Sequence, residues 1–281
     1  MEKTEFRSSR CLANQAKYIQ LGKTNKTNLM NFPRHHLFAL SISIIAIALS
    51  GCSLPKGETP INALLITGGC CHDYDFQKQE LTTGISEFAD VDWTIVHEGG
   101  DARDYQSKLF DNPYWAAEYD VVVHNQCFAN TKDTDYISKI VSGHKQGVSA
   151  VVIHCAMHTY RATEEDLWRE FLGVTTKRHD HQSHYPVTIT EPNHPIMEGF
   201  PKDWVSPMDE LYIIDKLWPN AKTLGTGVSE ETGKEHPVFW TNQYGKARVF
   251  GTTFGHTNET IANPQFQEVV GRGLLWAAGR L

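Results

Sequence analysis

Beyond residue 60 the chain settles into a rhythm of short apolar runs and longer stretches with apolar residues every three or four positions. A short run rich in Val and Ile, bounded by turn residues, reads as a buried strand, and the three-to-four spacing reads as a helix. This pattern predicts strands at residues 62–67, 92–97, 120–124 and 150–154. Between and after them it predicts helices at 76–88, at 133–146 and from Thr163-Glu-Glu-Asp to 172. Thr163 is a suitable helix cap, and Gly147 and Gly173 stand where helices stop. Strand and helix in regular alternation predict a mostly parallel sheet with helices on both faces.

The second half breaks the rhythm. Residues 185–190 alternate as a strand does, Asn193-His-Pro-Ile opens a turn, and further strands are expected at 210–215, 223–228 and 237–241. Asn242-Gln-Tyr-Gly245 reads as a hairpin turn into a strand at 246–254, and Pro264 opens a last helix that stops at Gly279. The fold class expected is α/β, with an antiparallel insertion before the chain returns to the parallel sheet. The segment from Arg178 to His184, dense in histidine, is expected to be a solvated loop.

Four of the strand-like runs end at or near histidine: His72, His124, His154 with His158, and His256. In an open parallel sheet, ligands bind outside the carboxyl ends of the strands, so these side chains are expected on the edge that carries the site. Imidazole titrates near neutrality and also ligates metals. Two chemistries follow. His256, His154 and His72 with Glu210 form an acid–base set, bordered by Asp73, Asn125, His124 and Tyr212 as substrate-binding groups. Alternatively His72, His154, His158 and His256 hold a divalent metal, zinc foremost, since three neutral imidazoles make an open catalytic zinc site. No His-Glu-x-x-His segment occurs to localise a metal. Gly68-Gly69 lacks the continuation of a nucleotide-binding loop. Of the many Trp and Tyr residues, most are expected in the core, with one or two bordering the site as faces for a sugar ring.

The amino-terminal segment carries a different message. Residues 1–29 show no apolar periodicity and read as a disordered or upstream leader, with Met30 a second plausible start. Arg34, His35 and His36, an apolar run and Leu49-Ser-Gly-Cys52 then describe a secretory signal over 30–51. Its last four residues resemble a bacterial lipobox, which implies lipid attachment at Cys52 and a place in the cell envelope. The lack of Asp after Cys52 leans towards an outer membrane. Residues 52–60, with Pro55, Gly57 and Pro60, read as a tether, and residues 61–281 as the domain. A net charge of -7 and no basic cluster argue against a nucleic-acid partner. The cysteines Cys70, Cys71, Cys127 and Cys155 are expected mostly as buried free thiols.

Several segments together resemble the ThuA-like (trehalose-utilisation) family. They are Leu65-Ile-Thr-Gly-Gly with His72-Asp73, Val152-Ile-His154, Asn193-His-Pro-Ile, Asp209-Glu-Leu-Tyr212, Pro237-Val-Phe-Trp240, Gly255-His256 and Arg272-Gly-Leu-Leu-Trp276. The resemblance implies a flavodoxin-like fold similar to class I glutamine amidotransferases, and a role in the utilisation of trehalose-like or 3-keto sugars. The expected function is then a lipid-anchored enzyme that hydrolyses or isomerises a sugar or keto-sugar, with a small carbohydrate and the membrane as partners. Two alternatives stand beside it: a non-catalytic sugar-binding lipoprotein, and an amidase-like hydrolase with Cys155 as nucleophile. For the latter, the Gly-x-Cys-x-Gly elbow of the amidotransferases is missing, and His256 is followed by Glu259 one position too far.

Overall fold

The computed structural model describes residues 59–281, so the leader, the signal segment, Cys52 and nearly all of the tether lie outside the described residues. Ten strands and five helices make up the domain: β1 (Ile61–Gly69), α1 (Tyr74–Ser86), β2 (Val91–His97), β3 (Val121–Cys127), α2 (Thr134–Lys145), β4 (Ser149–Ile153), α3 (Leu167–Leu172), β5 (Val174–Ser183), β6 (Val187–Ile189), β7 (Asp209–Leu217), β8 (Ala221–Val228), β9 (Glu235–Tyr244), β10 (Ala247–Thr252), α4 (Asn258–Ile261) and α5 (Pro264–Ala278).

Eight strands form one sheet in the order β2-β1-β3-β4-β10-β9-β8-β6. The first five are parallel, and β10 turns antiparallel to β9, as β9 does to β8 and β8 to β6. The parallel part has the flavodoxin-like order, in which the connections leave in opposite directions from between β1 and β3 and open a crevice there. β5 and β7 make a separate antiparallel pair.

The central strands bury both faces, which is why they read as unbroken apolar runs. Leu65, Val123, Val151 and Ile153 pack on one side with Leu81 and Ile85 of α1 and Phe266, Val269 and Val270 of α5. Their neighbours Leu64, Val122, Ala150 and Val152 pack on the other with Ile137 and Ile140 of α2 and Trp168 and Phe171 of α3. The largest aromatics expected in the core, Trp168, Trp240 and Tyr160, are there, each at most 2% exposed.

Three expectations change. Of the Arg178–His184 segment, all but His184 is the second half of β5, paired with β7. Its three exposed positions in a row and its bulges hide the alternation that would mark a strand. The helix expected from Thr163 begins only at Leu167, because the Arg169 guanidinium folds back onto the carbonyls of Arg161, Thr163 and Glu165 and holds them outside the helix. The cysteines are not free thiols: Cys70 is bonded to Cys71 and Cys127 to Cys155.

Candidate functional site

The parallel strands deliver their carboxyl ends to one edge, and the histidines follow. β1 ends in Gly69, and the turn Cys70-Cys71 hands on His72. Gly69 has φ +95 and lies against the Cys127 carbonyl, a close approach that a side chain would block. β4 ends at Ile153, and His154 opens a short 3-10 turn with φ +47, a left-handed conformation that a residue with a Cβ adopts at a cost. β10 ends at Thr252, and His256 follows Gly255, whose φ is +126.

Three imidazole nitrogens meet. His256 Nδ1 lies 3.2 Å from His72 Nε2 and 3.3 Å from His154 Nε2. The Glu210 carboxylate, carried in by β7, stands 3.3 Å from His256 Nδ1 and 3.6 Å from His154 Nε2. Hydrogen bonding fixes part of the protonation pattern. A carbonyl only accepts, so His154 Nδ1–H donates to Thr253 O at 2.7 Å, and the Nε2 of the neutral ring is a bare lone pair facing the centre. Tyr74 Oη touches His72 Nδ1 at 3.1 Å, on the far side of that ring.

The electrostatics match the geometry. Burial pulls the His72 pKa down to about 4, with the neighbouring His256 adding to the shift and the charge of Glu210 opposing it. Burial holds His154 well below the ordinary histidine value, helped by repulsion from His72 and His256. His256 goes the other way. Burial lowers it, but the hydrogen bond and charge of Glu210 outweigh that and leave it raised. Burial acts to raise Glu210, and the surrounding histidines overcome it, so its pKa is lowered and it stays ionised.

A second ring of residues aims the first. Asp209 is fully buried and accepts from the backbone N–H of Gly255 at 3.0 Å, of His256 at 3.2 Å and of Glu210 at 2.8 Å. It thereby ties the His256 loop to β7. Burial raises its pKa to about 6 in spite of those bonds. Asn125 donates to Gln77 Oε1, and Gln77 in turn donates to the carbonyls of Gly255 and His256. Asp73 caps α1 and accepts from Asn258 in α4. Tyr212 Oη reaches His154 Nε2 at 3.4 Å. Asn125, Asp73 and Tyr212 thus support the site from behind or beside it.

Two expected members stand apart. β3 runs three residues past His124, so this histidine is inside the strand rather than at its end, and it points into the α2–α3 layer. There His144 Nδ1–H donates to Val148 O, His124 Nε2–H donates to His144 Nε2 at 3.0 Å, and Gln126 donates to His124 Nδ1. His158 stacks on Tyr212 with 4.1 Å between centroids and bonds to Thr176 Oγ1, outside the group formed by His72, His154 and His256. Sequence reasoning missed His179 and Gln182 of β5. His179 Nε2 lies 3.5 Å from Glu210, and Gln182 contacts His256 Nε2 at 2.8 Å. Their signal is the histidine-dense segment itself, whose polarity reads as loop. Asp209 is visible in the sequence only as the neighbour of Glu210 in the Asp-Glu-Leu-Tyr motif.

A flavodoxin-like sheet with a polar, histidine-lined carboxyl edge defines the class. The sequence matches the ThuA family, described as trehalose utilisation, over residues 76–277, and the chain belongs to that family. Two solved ThuA-like structures share the fold. The protein from Parabacteroides merdae ATCC 43184 superposes with a TM-score of 0.66 at 22% identity, covering 78% of this chain and 90% of that one. The protein from Bacteroides uniformis ATCC 8492 gives 0.61 at 17% identity, covering 81% and 95%. A GMP synthase protein from Thermoplasma acidophilum gives 0.50 at 10% identity, covering 79% and 96%, which carries the amidotransferase-like fold. No curated protein sequence matches.

Proposed function

We propose that this ThuA-family protein is a carbohydrate-utilisation enzyme whose site is a divalent-metal centre, held by His72, His154 and His256 with Glu210 alongside. The observation that carries the reading is the convergence of three imidazole nitrogens within 4.8 Å of one another, with His256 Nδ1 3.2 Å from His72 Nε2 and 3.3 Å from His154 Nε2. Nitrogens coordinating a tetrahedral zinc at about 2.0–2.1 Å lie about 3.3–3.4 Å apart along each edge. The donor set fits in its chemistry as well. Two of the rings are held neutral, and His154 donates its outer N–H to a backbone carbonyl, as metal-ligating histidines do. When bound, a divalent ion supplies a Lewis acid that polarises a carbonyl or hydroxyl oxygen.

The chain's own residues do the rest. Glu210 is ionised and stands 3.5 Å from Nε2 of His179, which lies outside the metal set, so it accepts a proton from substrate and passes it to the His179 imidazole. His256 and His179, 19% and 38% exposed at their side chains, form the face that substrate reaches. Gln182 presents an amide to the same opening. This arrangement suits proton transfer beside a carbonyl, which is the isomerisation of a sugar or keto-sugar. Hydrolysis is the second outcome of the same groups. The nucleophile alternative gains no support, since Cys155 is bonded to Cys127.

Metal analysis with and without chelator tests the centre. One equivalent of tightly held metal is expected in the wild type and none in His154→Ala. A wild-type protein that takes up no divalent metal would sink the reading. Turnover of a keto-sugar panel in D2O tests the reaction: isomerisation incorporates deuterium at the exchanged carbon, and hydrolysis does not. Sugar binding that persists without turnover, and without the three histidines, would instead favour a binding protein. The lipid anchor and envelope location belong to the same proposal, and loss of palmitate labelling in Cys52→Ser checks them.

A further inference from the structure

The four cysteines gather at one point. The parallel register pairs Gly69 of β1 with Cys127 of β3, and Cys70 N–H donates to the Cys127 carbonyl at 3.4 Å. The two disulfides therefore lie against each other, with Cys70 Sγ 3.9 Å from Cys127 Sγ. They differ in access. Cys127 and Cys155 are buried at 3% and 6% exposure and Cys70 at 5%, whereas Cys71 is exposed.

From this arrangement we propose that the cysteines form a thiol–disulfide exchange relay, in which the Cys70–Cys71 pair is the entry for an external dithiol and the buried Cys127–Cys155 pair is the terminus. Exchange proceeds by attack of a thiolate on a disulfide sulfur, and access decides which sulfur is attacked. An external thiolate attacks Cys71 Sγ, and Cys70 leaves as a thiolate. Cys70 then attacks Cys127 Sγ across the 3.9 Å contact, forming Cys70–Cys127 and releasing Cys155 as a thiolate that takes up a proton. The second thiol of the external dithiol closes on its own mixed disulfide and frees Cys71. Cys71 attacks Cys70, restores the exposed pair and releases Cys127. The balance is two electrons: the dithiol becomes a disulfide, Cys127–Cys155 becomes two thiols, and the exposed pair is unchanged. The donor atoms of His72, Cys127 and Cys155 lie within 4.8 Å of one another, so the relay ends against the histidine site. It does not depend on a metal being bound there.

Two variants of the full-length protein, alkylated under native conditions and mapped by mass spectrometry without reduction, decide the matter. In Cys71→Ser the freed Cys70 is expected to capture Cys127, giving a Cys70–Cys127 linked peptide and alkylated Cys155. A Cys127–Cys155 bond left closed, with Cys70 alkylated instead, would overturn the relay. In the double variant Cys70→Ser/Cys71→Ser, opening of Cys127–Cys155 by a dithiol is expected to slow at least tenfold relative to wild type. An equal rate in folded protein, with folding checked by circular dichroism, would overturn it independently.

Discussion

At the scale of single residues, the site depends on side chains that never face the substrate. Asp209 holds three backbone N–H groups of two separate segments. Asparagine at this position keeps one oxygen but turns an N–H donor towards groups that are themselves donors. Asp209→Asn is therefore expected to lower stability by about 1–3 kcal/mol in urea unfolding, the cost of a buried polar group left unpaired. It is also expected to weaken metal uptake without removing a ligand. The residues named from the sequence divide along a physical line. His72, His154 and His256 were legible because strand ends are visible as the ends of apolar runs. His124 was not, because the polar Asn125 and Gln126 make β3 look finished three residues early. Nothing short of the fold places His179 and Gln182 of β5 over Glu210, since that contact depends on bulges in the β5–β7 pairing.

Elements carry the next level of argument. The parallel strands and α5 are continuous in hydrophobic pattern, and their positions follow from it within one to three residues. α3 and β5 do not, because a side chain competing for backbone carbonyls in the one and a long-range pairing in the other outweigh the pattern. In α3 the Arg169 guanidinium ties back the first turn, and in β5 an exposed face conceals the pairing. The interface of α2 with the sheet has its own titration behaviour. Burial lowers the His144 pKa from 6.5 to about 4, and burial together with repulsion from His144 lowers His124 well below its ordinary value. An unfolded chain protonates these rings as pH falls through 6.5, while the folded chain resists; the contribution of His144 to stability is therefore full above that pH and is lost as pH falls to about 4, and that of His124 is lost in the same direction. For His144 the loss is about 3 kcal/mol. Melting temperature is expected to fall steeply between pH 6.5 and 4 in the wild type and less steeply in His144→Gln. Equal slopes would contradict the assignment.

For the whole molecule, a ligand that binds only the folded state raises its stability in proportion to the logarithm of its concentration. Free zinc at about a hundred times its dissociation constant is expected to add about 2.7 kcal/mol, seen as an upward shift in the melting temperature of the wild type and none in His154→Ala. Among the described residues no helix is long and apolar enough to cross a membrane. The hydrogen bond between His72 and His256 spans 184 positions of sequence, with His154 and Glu210 between them. Synthesis runs from the amino terminus, and a domain folds as a unit. A growing chain thus holds His72 and then His154 for most of its synthesis without the partner that completes the set. The histidine set closes only when the last strand and its loop arrive, so, on the proposed function, a chain cut short before β10 is expected to capture neither metal nor sugar in binding assays.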